Sequence, residues 1–228
     1  MQRRLVRKLD LDMLLSQVAP NPNPKPNLEQ YTIPADVAGT MLYMAAYTYN
    51  DIIGKTVLDL GCGTGRLALG AAFLDAKQVL GIDVDRTAIN VASKNCAKTG
   101  LRGKVQWIAA DISAVHGKFD TVLQNPPFGV QRRKADRKFL EKALETGEVV
   151  YSLHKSLRKD KTFIRKLKNS RNPFVPAFPS PFLKNYIEEH NGKIRAVFAM
   201  LMTIPYTFHF HTKPKHKFVV DLYVIERK

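Results

Sequence analysis

The sequence predicts an α/β fold, doubly wound around a mostly parallel sheet with an antiparallel hairpin at its C-terminal end, and three observations carry that prediction. Five short β-prone runs, at 56–60, 78–83, 104–109, 119–124 and 148–153, alternate with helical stretches at 66–74, 86–99 and 136–146, each long enough to cross over a sheet. Two longer β-prone runs follow, Lys193 to Ile204 and Phe218 to Glu226, with no helical period between them; they are expected to pair antiparallel as an edge hairpin and bring the strands to seven. A length of 228 residues, 45% hydrophobic and 25% charged, suits one large globular domain with a sizeable core.

The elements follow in order from local composition. Residues 1 to 19 set Leu5, Leu9 and Met13, or alternatively Leu11, Leu14 and Leu15, among charges, the pattern of a short amphipathic helix packed on the body. Pro20, Pro22, Pro24 and Pro26 then force an extended connector, because proline fixes its own φ and restricts the residue before it. The boundary is placed there, with residues 1–27 as N-terminal helix and connector and residues 28–228 as the main domain. Ala, Met, Leu and Tyr content predicts a helix from Pro34 to Tyr49, and the strand and helix alternation begins at Lys55. After the fifth β run, a strongly basic and proline-dotted stretch leads into the hairpin, whose strands are joined by a His, Lys and Pro-rich connection.

Charge and cysteine usage narrow the function classes. Lys+Arg 36 against Asp+Glu 20 leaves +16, so a partner held by long-range attraction is polyanionic, and nucleic acid leads that class. Cys62 and Cys96 form no C-x-x-C pair and can build neither a disulfide framework nor a four-ligand metal site, which fits a reducing compartment. The longest apolar stretches fall short of the roughly 20 residues that a membrane helix needs. The charged start is followed by Asp10 and Asp12 and not by an apolar signal core, so a soluble cytoplasmic protein without a membrane partner is expected.

The segment Val57-Leu-Asp-Leu-Gly61-Cys-Gly63-Thr-Gly65-Arg66 is a strand running into a glycine turn and then a helix. Arg66 stands where a dinucleotide fingerprint needs glycine or alanine. Asp59, at the mouth of the turn, would repel a pyrophosphate but favour a ligand bearing an ammonium group, a charge logic that S-adenosylmethionine satisfies. Asp83, at the end of the second β run, can accept from both ribose hydroxyls. Asp111, after the third run, can accept from the adenine amino group. The competing reading makes Asp83 and Asp111 helix N-caps.

Asn125-Pro126-Pro127-Phe128 follows the fourth run and is held rigid by its two prolines. An amide or exocyclic amino nitrogen is planar, its lone pair delocalised, and it is a poor nucleophile. If the Asn125 side-chain oxygen and the Pro126 carbonyl each accept one N–H, the nitrogen is drawn toward a tetrahedral form and its lone pair can face a sulfonium methyl. Phe128 can stack on a planar acceptor. A plain proline turn is the competing reading.

Together with the glycine turn, this tetrapeptide resembles the Rossmann-like amino methyltransferases. Leu28-Glu-Gln30-Tyr31, Asp59-Leu-Gly-Cys-Gly63, Asn125-Pro-Pro-Phe-Gly129, Phe139-Leu, Val150-Tyr-Ser-Leu-His-Lys155 and Val220-Asp-Leu resemble, in order along the chain, the methyltransferase-like 5 family. That resemblance implies N6-methylation of an adenosine in small-subunit ribosomal RNA with S-adenosylmethionine as cofactor. It places Gln30, Thr32, Asp59, Gly61, Gly63, Thr64, Asp83, Asp111, Ile112 and Asn125 at the cofactor and Asn125 to Phe128 at the target base. It also implies a small zinc-binding Trm112-type activator, paired by strand addition with an exposed edge at Lys104 to Ile108. The alternative there is that Trp107 turns inward and the segment before Pro20 covers the edge. Thr64, Arg66 and a long Pro/Phe-rich segment from Arg171 to Leu183 depart from the family pattern.

Between Val130 and Val175 stand 14 Lys+Arg and 5 Asp+Glu, so this part of the chain holds +9 of the net +16 directly after the Asn-Pro-Pro-Phe loop. A charge run is usually a solvated face, but its place beside an adenine-type site points to a phosphate backbone. Phe128, Arg132, Arg133, Lys134, His154 and Lys155 are the expected RNA contacts, with a packed His154 as the alternative. His209, His211 and His216 read as surface residues in a Lys-rich connection, and no metal is expected. Two rival functions remain at this level: glutamine-N5 methylation of a translation factor, which leaves the +16 charge unexplained, and a non-catalytic RNA-binding module, against which intact Asp83 and Asn125 argue.

Overall fold

The structure, a computed structural model, describes residues 5–128, 135–158, 160–170, 172–205 and 215–228. Its parallel half is built from β1 (Thr56–Leu60), β2 (Gln78–Asp83), β3 (Val105–Ala109), β4 (Phe119–Gln124) and β5 (Gly147–Lys155). Four helices flank these strands: α2 (Ala35–Tyr43), α3 (Arg66–Phe73), α4 (Arg86–Lys98) and α5 (Ala135–Thr146). With β6 (Phe174–Pro176), β7 (Gly192–Pro205) and β8 (Lys215–Arg227), the sheet order is β3-β2-β1-β4-β5-β8-β7-β6, β7 and β8 running antiparallel to each other and β8 antiparallel to β5. The chain order reverses beside β1, which is where an open α/β sheet leaves a crevice at the carboxyl ends of its strands.

Among the described residues the sheet has eight strands and not seven. A short β6 (Phe174–Pro176) pairs antiparallel with β7, so the hairpin is not the edge of the sheet. Three residues ending in proline carry little strand signal, and proline without an N–H is tolerated at an outermost strand. The basic stretch also holds two helices that the charge run concealed, α6 (Lys161–Asn169) and α7 (Pro181–Glu189). Their starts are legible in retrospect: Asp160 accepts from the Thr162 and Phe163 amides, and Ser180 accepts from the Leu183 amide ahead of Pro181.

Strand alternation sends side chains to two apolar layers. Val57, Leu123, Tyr151 and Leu153 face the layer shared with α2, α3 and an N-terminal helix α1 (Lys8–Ser16). Leu58, Leu60, Val122, Val150 and Tyr223 face α5 and α7. On α1 it is Leu11, Leu14 and Leu15 that are buried, while Leu5, Leu9 and Met13 stay exposed, which decides between the two stripes seen in the sequence. The connector after α1 is tied to the domain body. The Arg66 guanidinium donates to the Val18 carbonyl at 2.8 Å and also to the Ile33 carbonyl. Asn95 Oδ1 accepts from the Ala19 amide at 3.1 Å, and its Nδ2 donates to the Ala19 and Thr64 carbonyls at 3.0 and 3.1 Å. Among the described residues no helix is long and apolar enough to cross a membrane, and no cluster of His, Cys, Asp and Glu could hold a metal ion.

Candidate active site

β1 delivers the chain to Gly61, whose φ of +74° reverses it toward β2, where the Gly61 and Cys62 amides both donate to the Ile82 carbonyl at 2.9 Å. A side chain at Gly61 would be strained in that left-handed conformation and would come within 2.6 Å of the Phe139 ring. The turn therefore needs glycine on two counts, and it leaves the Gly63 amide facing Asp83. Asp83 Oδ2 accepts from that amide at 2.8 Å, and Oδ1 accepts from the Asp85 amide at 2.9 Å. Each oxygen keeps a second lone pair for a ligand.

Asp59 is 1% exposed and accepts from the Ala68 amide at 2.8 Å. Burial pushes its carboxyl up to about 7, against the Ala68 N–H and with a further push from Asp83. Burial also raises Asp83, opposed by its two backbone donors. Asp111 goes the other way, held low by hydrogen bonds from Ser113, and it caps the short turn Ile112–Ala114. The two N-cap alternatives are thus divided. Asp111 is a cap as well as a wall residue, whereas the cap of α4 is Asp85, not Asp83.

These residues surround one cavity of ≈ 610 Å³. Gln30, Thr32, Asp59, Gly61, Gly63, Thr64, Asp83, Asp111, Ile112 and Asn125 all line it. Thr64 Oγ1 and Asn125 Oδ1 are buried there without a hydrogen-bond partner among the described residues, as polar atoms reserved for a ligand would be. Gln30 has a second duty. Its Nε2 donates to Asp85 Oδ2 at 3.0 Å, and its Oε1 accepts from Asn21 Nδ2 at 3.1 Å and the Lys25 amide at 2.8 Å. With the Lys25–Asp85 ion pair at 2.9 Å, this fastens the connector as one wall of the cavity.

The Asn-Pro-Pro-Phe loop enters from β4. Asn125 and Pro127 reach the cavity and Pro126 is buried. Phe128 packs edge-on against Phe218, ring centroids 5.7 Å apart at 87°. Lys155 is exposed beside that pair, its Nζ 6.0 Å from the Phe218 ring. His154, expected at the RNA, is instead buried in the sheet: its Nε2 lies 2.8 Å from Ser152 Oγ, its ring stands edge-on to Tyr223, and burial lowers its pKa to about 4. A neutral, enclosed imidazole offers nothing to a phosphate. The strand period placed it inward, on the face of Val150 and Ser152. Arg132, Arg133, Lys134, His209 and His211, and the side chain of His216, lie outside the described residues.

Sequence reasoning missed Asn21, Tyr31, Phe139 and Lys142 as cavity walls. The signal for Asn21 was the stiffness of the proline connector, which can only hold a shape if something along it is docked. The donor set suits S-adenosylmethionine: a buried carboxylate for an ammonium, a second at a strand end for ribose, and a third for an adenine amino group. Asp59 yields a pH dependence. A cationic ammonium prefers the carboxylate form, so cofactor affinity rises with pH up to about 7 and levels off above it, falling by roughly tenfold per unit below. Calorimetric titration across this range checks it, and Asp59→Asn should flatten the profile; a profile already flat in the wild-type chain would remove Asp59 from the ligand.

An acid-lined glycine turn feeding a shared cavity with a rigid Asn-Pro-Pro-Phe loop defines an S-adenosylmethionine-dependent methyltransferase. Residues 35–167 match the methyltransferase small domain family. The chain is 36% identical to an uncharacterized protein of Methanocaldococcus jannaschii, over 98% of this chain and 95% of that one. It is 39% identical to the rRNA N(6)-adenosine-methyltransferase METTL5 of Danio rerio, over 66% of this chain and 75% of that one. The crystal structure of a candidate RNA methyltransferase from Pyrococcus horikoshii superposes with a TM-score of 0.80 at 35% identity, covering 98% of this chain and 99% of that one. The chain belongs to the methyltransferase small domain family and, within it, to the METTL5 family.

Proposed function

We propose that this enzyme methylates the N6 amino group of an adenosine in RNA, in small-subunit ribosomal RNA of the cytoplasm. The observation that carries the reading is the Asn125 Oδ1, buried at the end of β4 beside the cavity that Asp59 and Asp83 line and without a hydrogen-bond partner among the described residues. A buried acceptor with no donor of its own suits an N–H arriving with the substrate. The Asn125 oxygen and the Pro126 carbonyl each accept one N6–H, which localises the nitrogen lone pair and aims it along the transfer line. The cofactor supplies an electrophilic sulfonium methyl. As the N–C bond forms, the S–C bond electrons return to sulfur, and the surplus N6 proton passes to solvent. No tuned base is needed for a step governed by alignment. The +16 charge and the excess of 14 Lys+Arg over 5 Asp+Glu between Val130 and Val175 favour RNA over a protein acceptor. Incubation of ribosomal RNA with the protein and cofactor, followed by nucleoside mass spectrometry, should yield N6-methyladenosine; methylglutamine in a translation factor instead would overturn the reading.

The partner belongs to the same proposal. Among the described residues β3 pairs only with β2, so its other side is an open edge. That edge is less apolar than the sequence suggests. Val105 is buried, and Trp107 turns inward, where a side chain on Gly65 or Gly81 would meet it at 2.5 Å. Ile108 at 43% and Val84 at 53% exposure remain. A small zinc-binding Trm112-type activator adding a strand here would cover both. Ile108→Lys should then abolish co-purification with the activator while the chain keeps its fold; unaltered co-purification would refute the edge as its site.

A further inference from the structure

The Pro/Phe-rich segment that departs from the family pattern runs through β6 and a loop into the start of α7; Phe174, Val175 and Leu183 pack inward, while Phe178 and Phe182 face outward. Phe178 is 84% exposed, with no ring or cation partner among the described residues, and Phe182 is 47% exposed. Phe182, Tyr186 and His190 recur every four residues along one face of α7 and stack as a ladder, with centroids 6.0 Å and then 4.3 Å apart. The Arg137 guanidinium lies 4.5 Å over the Phe182 ring. Arg137 sits in the first turn of α5 between Ala135 and Lys138, both cavity-lining, so this end of the ladder stands at the rim of the active site.

A second contact fixes Phe178. Arg158, just past β5, donates to the Phe178 carbonyl, lies 5.3 Å over the Phe163 ring of α6 and is 3.5 Å from the Asp221 carboxylate. One arginine thereby ties the backbone at Phe178 to α6. That helix turns Phe163, Ile164 and Leu167 inward and exposes Arg165, Lys166 and Lys168. An exposed aromatic ring beside a cationic helix, with a guanidinium plane closing the ladder, is the composition that holds single-stranded nucleic acid: bases stack, phosphates follow the lysines. Acidic neighbours limit the platform. Glu141, Asp136 and Glu189 bear on Tyr186, so the lower ladder repels phosphate and the platform ends at its upper members.

We propose that Phe178, Phe182 and Arg137 form a stacking platform for unpaired bases flanking the target adenosine, with the outer face of α6 tracking the adjoining phosphates. This rests on the RNA reading above, and deepens it by naming a substrate feature: the target lies in a single-stranded stretch and not in a continuous duplex. The test uses the full chain with Phe178→Ala, Phe182→Ala and the double variant, on an RNA fragment that carries the target with unpaired flanks. The double variant should raise KM for the RNA about tenfold or more, with kcat at saturating RNA and cofactor affinity unchanged, and Phe178→Tyr should restore binding. Annealing a complementary strand over the flanks should remove the wild-type advantage. Unchanged KM in the double variant overturns the platform, as does a shift from dimer to monomer with RNA binding intact, which would make the patch a protein interface. If the wild-type chain fails to methylate RNA, the functional reading falls and takes the platform with it; if it methylates RNA and the variants match it, the platform alone falls.

Discussion

Asn125→Ala should lower methyl transfer by about 10²-fold or more and leave cofactor affinity unchanged. Asn125 lines the cavity and its buried side-chain oxygen has no partner among the described residues, so its removal breaks no internal hydrogen bond among them and costs the fold little. What it removes is one of two acceptors that localise the N6 lone pair and orient it. The loss should therefore appear in kcat, with KM for RNA altered far less and calorimetric cofactor titration matching the wild type. Asn125→Asp is the sharper companion, since it keeps the oxygen and adds a charge that the buried site opposes. Retained turnover in Asn125→Ala would move catalysis away from this loop.

Asp83→Ala should weaken cofactor binding by about 10²-fold or more, with methyl transfer falling in step at low cofactor concentration. Two ribose hydroxyls donating to a carboxylate are charge-assisted, and each such bond contributes ~1.5–3 kcal/mol. The same carboxylate holds the Gly63 amide at 2.8 Å and the Asp85 amide at 2.9 Å, so the variant also loosens the turn that faces the ligand. Overall stability should change much less than affinity, because burial already opposes ionisation of Asp83 in the empty protein. Calorimetry and thermal melting on the same preparation separate the two effects. Wild-type cofactor affinity in this variant would take Asp83 out of the site.

The two variants report on different links of one chain of cause. Asp83 acts on binding through the shape and charge of the glycine turn. Asn125 acts on the chemical step through the geometry of a loop that prolines hold still. The connector fastened by Gln30, Lys25 and Asp85 belongs with the first, as a wall that encloses the cofactor and not as a reacting group.

Much of this was determined by the sequence alone, and the reason is locality. The β1 to β5 rhythm, the glycine turn and the Asn-Pro-Pro-Phe loop each express their conformational constraint within a few residues, and strand β4 spans 119–124 as its composition indicates. Strand ends in a doubly wound sheet converge at one edge, so acids read at three successive ends had to meet in space. Tertiary structure decided the rest. His154 is buried because β8 pairs beside β5, so that β5 is not an edge and Tyr223 sets its ring against the imidazole, and a strand pattern alone does not say which neighbour the strand will have. Trp107 turns in because Gly65 and Gly81, distant in sequence, leave room for its ring. α6 and α7 are amphipathic segments whose inner faces mean nothing until β7 and β8 supply the apolar layer beneath them, which is why a charge count saw only the basic surface. The N-terminal connector becomes a wall of the active site through Arg66, Asn95 and Asp85, contacts 33 to 76 residues apart in sequence that no local pattern encodes, because their free energy arises only when the folded chain brings both partners together.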